Sequence, residues 1–350
     1  MKELDVIDRL RAAFPDSGIG DDAAVIPSPR GEALFAADAA VEGVHFDRRL
    51  CTLSQAVQKL VTSNVSDIFA MGGSPLSIVF TAALQAGCSS ADVDSIVDGL
   101  QKACTQYGIR LVGGDTVSSP HGFFFNVAIV GEAPRGRAVM RSGARPGDAL
   151  VLFGEIGLSR AGLDILSSID PARAFPAISI ASSPAEMERI AAALGRVSRS
   201  PDAARCIRRH LVPLAVPLDA ALLDSDPPRI TAMIDVSDGL AKDLSTLCAE
   251  SGVGALVREE ALPIPGAIGE LCGLEGEALI DFALSSGEEY VPLAAVTPEA
   301  ARMLGAVGSA DRGGGAAVIG TIVPAAEGIT LVGRDGKRRT MPALGYEHMF

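Results

Sequence analysis

Aspartates set into apolar patterning are the residues of this sequence best suited to chemistry. Ile234-Asp235-Val236-Ser237-Asp238-Gly239-Leu240 closes an apolar strand and opens a helix that carries Leu240, Leu244 and Leu247 inside. Ser237 or Asp238 is the expected N-cap. A glycine at a helix start ordinarily suits phosphate, yet two carboxylates repel a bare anion there unless metal ions lie between. The motif therefore favours a metal-bridged nucleotide over a plain helix cap, which needs only one acid.

The combination recurs upstream. Ile19-Gly20-Asp21-Asp22-Ala23-Ala24-Val25 sets two acids between a glycine turn and an apolar stretch, and Asp38 interrupts the apolar run from Ala33 to Val41. Asp115 follows Leu111-Val112-Gly113-Gly114, where a strand is expected to end in a tight turn. Asp38 and Asp115 thus read as strand-end carboxylates, the position where α/β proteins build ligand sites. A further case is helical. Thr52 and Gln55 form a capping-box pattern, and an apolar stripe through Leu53, Val57 and Leu60 continues onto Asn64 and Asp67 before Met71-Gly72-Gly73 ends the helix. A carboxylate on that stripe needs a cation or hydrogen-bond donors. Taken singly, each aspartate has an ordinary alternative, as a turn residue or as the cap of a neighbouring loop. Accumulated along one chain, they suit a hard cation such as magnesium, which takes several oxygen ligands and keeps some water.

Other catalytic signals are missing. There is no G-x-x-x-x-G-K-[ST] phosphate loop, since Gly157 to Gly162 is followed by Leu163-Asp164, and no G-x-S-x-G nucleophile elbow. Gly154, Gly157 and Gly162 follow an apolar strand at a spacing that departs from the dinucleotide fingerprint. Arg137, Arg141 and Arg145 either balance phosphate charge or lie in a solvated linker, and the residues leave both readings open. His45, His121, His210 and His348 show no metal-ligand spacing, and the 6 cysteines, with no C-x-x-C pair, read as reduced core residues.

Positioning these residues takes two α/β domains, because 350 residues exceed one typical core. Leu4, Ile7, Leu10 and Phe14 mark a first helix; stretches at 33–37, 76–84, 109–112 and 123–130 read as strands, with helices over 53–71 and 91–107. Pro134, Pro146 and the arginines at 135, 137, 141 and 145 have boundary composition, so the expected domains are 1–136 and 137–350. The second half alternates again: a strand Ala149 to Phe153, a helix from about Ser159, a strand Arg229 to Val236, a helix from about Gly239, and short strands near 290 and 317. Between Ser167 and Ala204 lies an Ala/Ser/Pro-rich surface excursion with a helical Met187 to Leu194.

Composition narrows the function classes. At 48% hydrophobic and 21% charged residues, the chain has ample apolar surface to bury and no signature of disorder. A net charge of -13 without a basic run argues against nucleic acid as a partner, and requires cations wherever an anionic nucleotide binds. The opening Met1-Lys2-Glu3-Leu4-Asp5 lacks the basic flank and apolar run of a signal peptide. No segment approaches the roughly 18 apolar residues of a membrane span. A cytoplasmic protein without a membrane partner is expected.

In chain order, Gly20-Asp21-Asp22-Ala23-Ala24, Asp38-Ala39-Ala40-Val41-Glu42-Gly43-Val44-His45-Phe46, Asn64-Val65-Ser66-Asp67, Gly113-Gly114-Asp115-Thr116, Arg141 to Asp148 and Ile234 to Leu240 resemble the motifs of the thiamine-monophosphate kinase family. Ser286-Gly287-Glu288-Glu289-Tyr290 and Gly345-Tyr346-Glu347-His348 look like its substrate-side and closing motifs, so the resemblance covers nearly the whole chain. It implies the two-domain aminoimidazole ribonucleotide synthetase-like fold, α/β (α+β) in class, with the N-terminal sheets of two subunits pairing into a β-barrel. A homodimer with ATP bound where the subunits meet is implied.

By position, Asp22, Asp38, Asp67, Asp115, Asp235 and Asp238 match magnesium ligands, with Asp38, Asp67 and Asp238 required for turnover. Gly114, Asp115, Arg141 and Ser237 match nucleotide contacts, and His45, Glu288 and Tyr346 match contacts to thiamine monophosphate. The implied reaction moves the γ-phosphoryl group of ATP onto that phosphate, giving thiamine diphosphate without a covalent enzyme intermediate. The sequence departs from the family pattern at Ala36-Ala37, where hydroxyl residues are usual, and along Ser286 to Pro292. The alternatives are a kinase for another small phosphate ester and a nucleotide-binding protein that no longer catalyses.

Overall fold

In a computed structural model the chain builds two sheets, each covered by helices. The structure describes residues 3–168, 201–306 and 315–349, apart from positions 16, 18, 20–22, 25, 27, 224, 227 and 343. Asp22 and most of the 167–204 excursion, including 187–194, lie outside the described residues.

The first sheet contains β1 (Glu32–Val41), β2 (Ser74–Gln85), β3 (Arg110–Ser119) and β4 (Phe124–Ala133) in the order β1-β4-β2-β3, with only β2 and β3 parallel. α1 (Glu3–Ala13) lies against α3 (Ser90–Tyr107), which with α2 (Leu53–Ala70) covers one sheet face. Both longer helices start at capping boxes, Thr52 with Gln55 and Ser89 with Asp92, so their first orphan N–H groups are satisfied locally. α2 is the central element: Val57, Val61 and Val65 are fully buried, and Gly72 at φ 69 supplies the left-handed turn that ends it. β4 alternates strictly, sending Phe125, Val127 and Ile129 into the core beneath α2.

Asp38 and Asp115 do not end strands. Asp38 sits within β1 opposite Val127, and Asp115 within β3 opposite Thr81. β3 runs through its glycine pair because Gly113-Gly114 follows a β-bulge rather than forming a turn. A Cβ on Gly114 would lie 1.9 Å from the carbonyl oxygen of Phe80, so close approach of the neighbouring strand requires glycine there.

The second sheet has the order β11-β10-β7-β9-β5-β8-β6, with only β10 and β7 parallel. Its strands are β5 (Ala149–Phe153), β6 (Ile230–Asp235), β7 (Val253–Arg258), β8 (Pro292–Val296), β9 (Ala316–Pro324), β10 (Ile329–Val332) and β11 (Arg338–Thr340). Its described helices are α4 (Leu158–Ser167), α5 (Pro201–Leu211), α6 (Ala220–Leu223), α7 (Leu240–Ser251), α8 (Ala267–Cys272), α9 (Gly276–Leu284) and α10 (Pro298–Ala306). α7 is fixed to this sheet by Leu240, Leu244 and Leu247, all fully buried. The connection from 134 to 148 carries no helix or strand and touches both halves: Val139 N–H donates to Met71 O, and Met140 O accepts from Met233 N–H. All six cysteines are free thiols, three of them buried. No described helix is long and apolar enough to cross a membrane.

Candidate active site

A cleft of about 770 Å³ opens between the two halves. Its walls are β1 and α2 from the first half, and α4, α5, the β6–α7 turn and the segment 285–290 from the second. Gly345, Tyr346 and His348 complete it.

One end is acidic. Asp38 reaches it from β1, Asp67 from the last turn of α2, Asp235 from the end of β6 and Asp238 from the turn that follows. Burial, then repulsion from Asp235 and Asp38, pushes the Asp67 carboxyl up to about 8, against an opposing pull from Arg141. Burial also raises Asp235, although Ser66 Oγ donates to its Oδ2 at 2.6 Å and favours the charged form. Lys242 Nζ pairs with Asp238 Oδ2 at 2.9 Å.

The turn itself differs from expectation, since neither Ser237 nor Asp238 caps α7. The backbone N–H groups of Ser237, Asp238 and Gly239 all donate to Oδ2 of Asp243, at 3.0, 3.1 and 3.1 Å. The carboxylate reaches back from inside the helix, which leaves the Ser237 and Asp238 side chains on the cleft wall. Burial, then Asp235 and Asp238, raises the Asp243 carboxyl to about 7. Gly239 adopts φ 120, and a Cβ there would meet the Ser285 backbone at 3.0 Å.

The opposite end is already paired. Glu288 Oε2 accepts from Lys59 Nζ at 2.7 Å and lies 3.5 Å from His210 Nδ1. Burial holds the His210 pKa well below its ordinary value, so that contact is with a neutral ring. Glu288 and Tyr290 occupy left-handed backbone at φ 57 and 51, a strained state for side-chain-bearing residues. Two backbone bonds hold them there, Glu288 N–H to Ser237 O at 2.7 Å and Tyr290 N–H to Val236 O at 2.8 Å. Glu289 turns away from the cleft and is fully buried, its Oε1 accepting from Ser159 N–H and Ser286 Oγ at the start of α4. His45 packs against His348 with ring centroids 5.2 Å apart, and burial followed by the His348 charge lowers its pKa. Tyr346 N–H donates to Asp238 O at 2.9 Å.

The family models agree with this architecture. The AIR synthase related protein N-terminal domain matches residues 20–133 and the C-terminal domain matches 210–332. Thiamine-monophosphate kinase of Salmonella typhimurium is 33% identical over 97% of this chain and 95% of its own length, and that of Escherichia coli K12 is 32% identical over the same shares. The chain belongs to the thiamine-monophosphate kinase family. Among solved structures, AaThiL complexed with AMPPCP and TMP covers 99% of this chain and 97% of its own at 28% identity, with a TM-score of 0.69. Thiamine-monophosphate kinase from Stenotrophomonas maltophilia K279a covers 96% and 98% at 27% identity, with a TM-score of 0.74. Hydrogenase maturation protein HypE, at 20% identity and a TM-score of 0.69, shares the fold.

Of the positions that carry the motifs of the thiamine-monophosphate kinase family, the cleft gathers Asp38, Asp67, Asp235, Ser237, Asp238, His45, Glu288 and Tyr346. It does not gather Gly114, Asp115 or Arg141. Asp115 is exposed on the edge strand β3, whereas the charge of Arg141 reaches Asp67 and Asp235 without lining the cleft. Among the described residues, no three acidic, histidine or cysteine side chains converge on one metal position. The donor set still fits a hard divalent cation, because several carboxylates share an end in which burial, then repulsion from Asp235 and Asp38, disfavours the charged form of Asp67. Lys59, Ser66, His210, Tyr290 and Asp243 carry no individual site role in the sequence reading, although Ser66 and Tyr290 fall inside the quoted motifs. One signal was available: α2 contains two charged residues in 18, Lys59 and Asp67, and both face the cleft.

Proposed function

We propose that this protein transfers the γ-phosphoryl group of ATP onto the phosphate of thiamine monophosphate, giving thiamine diphosphate. The observation that carries this reading is one cleft with a carboxylate-rich end and a paired, ring-lined end. Phosphoryl transfer between two anions needs them held in line while their charge is offset. Asp38, Asp67, Asp235 and Asp238 would hold magnesium, with Asp22 and Asp115 completing the set. Bound magnesium would offset the charge that develops on the phosphate oxygens.

The chain's own residues do the rest. Ser66 orients Asp235, and Lys242 pairs with Asp238, so both carboxylates are aimed before substrate arrives. Ser237, Gly114 and Arg141 serve the nucleotide. At the far end, Glu288 offers a carboxylate to the amine and cationic ring of thiamine, and His45 and Tyr346 offer aromatic faces.

A cytoplasmic homodimer belongs to this reading. Phe35 on edge strand β1 is 73% exposed and Val117 on edge strand β3 is 45% exposed. Asp115 stands on β3 as well, so a second copy seated on that sheet face would supply Gly114 and Asp115 with neighbours that one copy lacks. Phe35→Glu should yield monomers by analytical ultracentrifugation, and a wild-type protein that sediments as a monomer removes the dimer.

The activity is tested by magnesium-dependent turnover of ATP with thiamine monophosphate, following thiamine diphosphate by chromatography. Product from thiamine monophosphate, with none from thiamine, is expected. Product only from another phosphate ester would reassign the acceptor, and ATP binding without any transfer would mark a retired catalyst.

A further inference from the structure

The tripeptide Ser237-Asp238-Gly239 lies between the two ends of the cleft, and its hydrogen bonds run in two directions. Its three N–H groups converge on one oxygen of Asp243, at 3.0 to 3.1 Å. Two of its carbonyls point the other way: Ser237 O accepts from Glu288 N–H at 2.7 Å, and Asp238 O accepts from Tyr346 N–H at 2.9 Å. The neighbouring segments are pressed against it. A Cβ on Gly287 would lie 2.7 Å from Ser237 O, and one on Gly345 would lie 3.0 Å from Asp238 O. Asp243 is only 4% exposed, does not line the cleft, and sits on a helix anchored by Leu240, Leu244 and Leu247.

We infer that Asp243 is a positioning residue for both ends of the cleft, fixing through one carboxylate oxygen the backbone that aims Asp238 at one end and Glu288 and Tyr346 at the other. The inference rests on the proposed kinase reading for its kinetic consequence, though not for its structural one. The physical basis is an asymmetry. A carboxylate can accept three bonds at one oxygen from N–H groups that share a helix start, and the helix dipole favours it there. An amide at the same position offers a weaker acceptor and two donors that find no use among three N–H groups. With the N–H side loosened, the carbonyl side loses its fixed orientation. Glu288 then has less to hold it in the left-handed conformation recorded at φ 57.

The test is amide hydrogen exchange resolved to single residues in wild type and Asp243→Asn. Ser237, Asp238 and Gly239 should exchange roughly tenfold faster or more in the variant, and so should Glu288 and Tyr346, whose own acceptors are untouched. Asp243→Glu, which keeps the charge on a longer stem, should recover part of the protection. The KM values for thiamine monophosphate and for magnesium-ATP should rise together in Asp243→Asn. Leu247→Val, which weakens the same helix through its core, should lower the melting temperature without moving either KM. Unchanged exchange at Glu288 and Tyr346, or a Leu247→Val variant that reproduces the KM changes, overturns the inference. Should Asp243→Asn fail to fold, the wild type decides: the five amides should open with one common equilibrium constant, and unrelated constants sink the idea. A wild type that does not phosphorylate thiamine monophosphate would strike the proposed function alone, because the exchange measurement stands apart from turnover.

Discussion

At the acidic end of the cleft, carboxylates face one another, and burial with mutual repulsion lifts Asp67 to about 8. At the opposite end, Glu288 already meets Lys59 at 2.7 Å, with His210 beside it. One end is left electrostatically unfinished and the other is closed on itself. The difference separates two kinds of preorganisation. A site that awaits cations tolerates repulsion in their absence, whereas a site for an organic guest can be held open by an internal partner that the guest later shares or displaces.

The comparison breaks most visibly at Asp67. Asp67→Asn should lower turnover by roughly a hundred- to a thousandfold, since it removes a carboxylate from the phosphoryl-transfer end. The same change should raise the melting temperature of the metal-free protein at neutral pH, because folding no longer has to place on residue 67 a proton that the unfolded chain has given up. A variant with full activity, or one that melts lower in chelator, would mean that the acidic end is not the strained one. Ser66→Ala should weaken magnesium binding by about tenfold, read as the half-saturating magnesium concentration, by releasing the orientation of Asp235. Lys59→Met acts at the other end. It should raise the KM for the acceptor several-fold while leaving the magnesium dependence unchanged, and a shift in magnesium dependence would show the two ends to be one electrostatic unit.

The smallest effect is on stability against pH. Asp67 in the folded, metal-free protein has a value of about 8 against an ordinary 3.8, so the folded state holds its proton more tightly than the unfolded chain. The stability this contributes is complete below about pH 4 and is lost as pH rises through about 8. Melting temperatures in chelator should therefore fall by a few degrees over that window. Excess magnesium or Asp67→Asn should flatten the slope.

Much of the fold was legible because it rests on strong local signals. The capping box at Thr52 and Gln55 started α2 where expected, and the apolar run from Ala149 to Phe153 became β5 with the same limits. Asp38 was misread as a strand end because Ala36, Ala37, Ala39 and Ala40 surround it; alanine suits either sheet face and hides the two-residue alternation that marks a strand. Gly113-Gly114 resembles a turn in sequence, although the space beside Phe80 is what demands glycine. β7 follows α7 with a single glycine between them, and β10 and β11 are 4 and 3 residues long, too short to register as periodic runs.

In the candidate site, aspartates that interrupt apolar runs could be seen, and the residues that hold them could not. Asp243 looks like an ordinary acid in the first turn of a helix, and its role appears only when three N–H groups are seen to meet at one oxygen. The left-handed Glu288 and Tyr290 carry no glycine to announce them. Their conformation is imposed by bonds to residues some fifty positions away in the chain.

The stiffness of α2 has a consequence for what the protein can accept. Its two charges, Lys59 and Asp67, lie on one rigid rod eight positions apart, a separation of about 12 Å along the axis. The rod works as a gauge. The interval between the ammonium that pairs with Glu288 and the carboxylate of Asp67 is set by hydrogen-bonded turns, not by a loop that can stretch. Evolution can repaint either end by substitution, but inserting one residue between them would swing Asp67 about 100° around the helix and erase the scale.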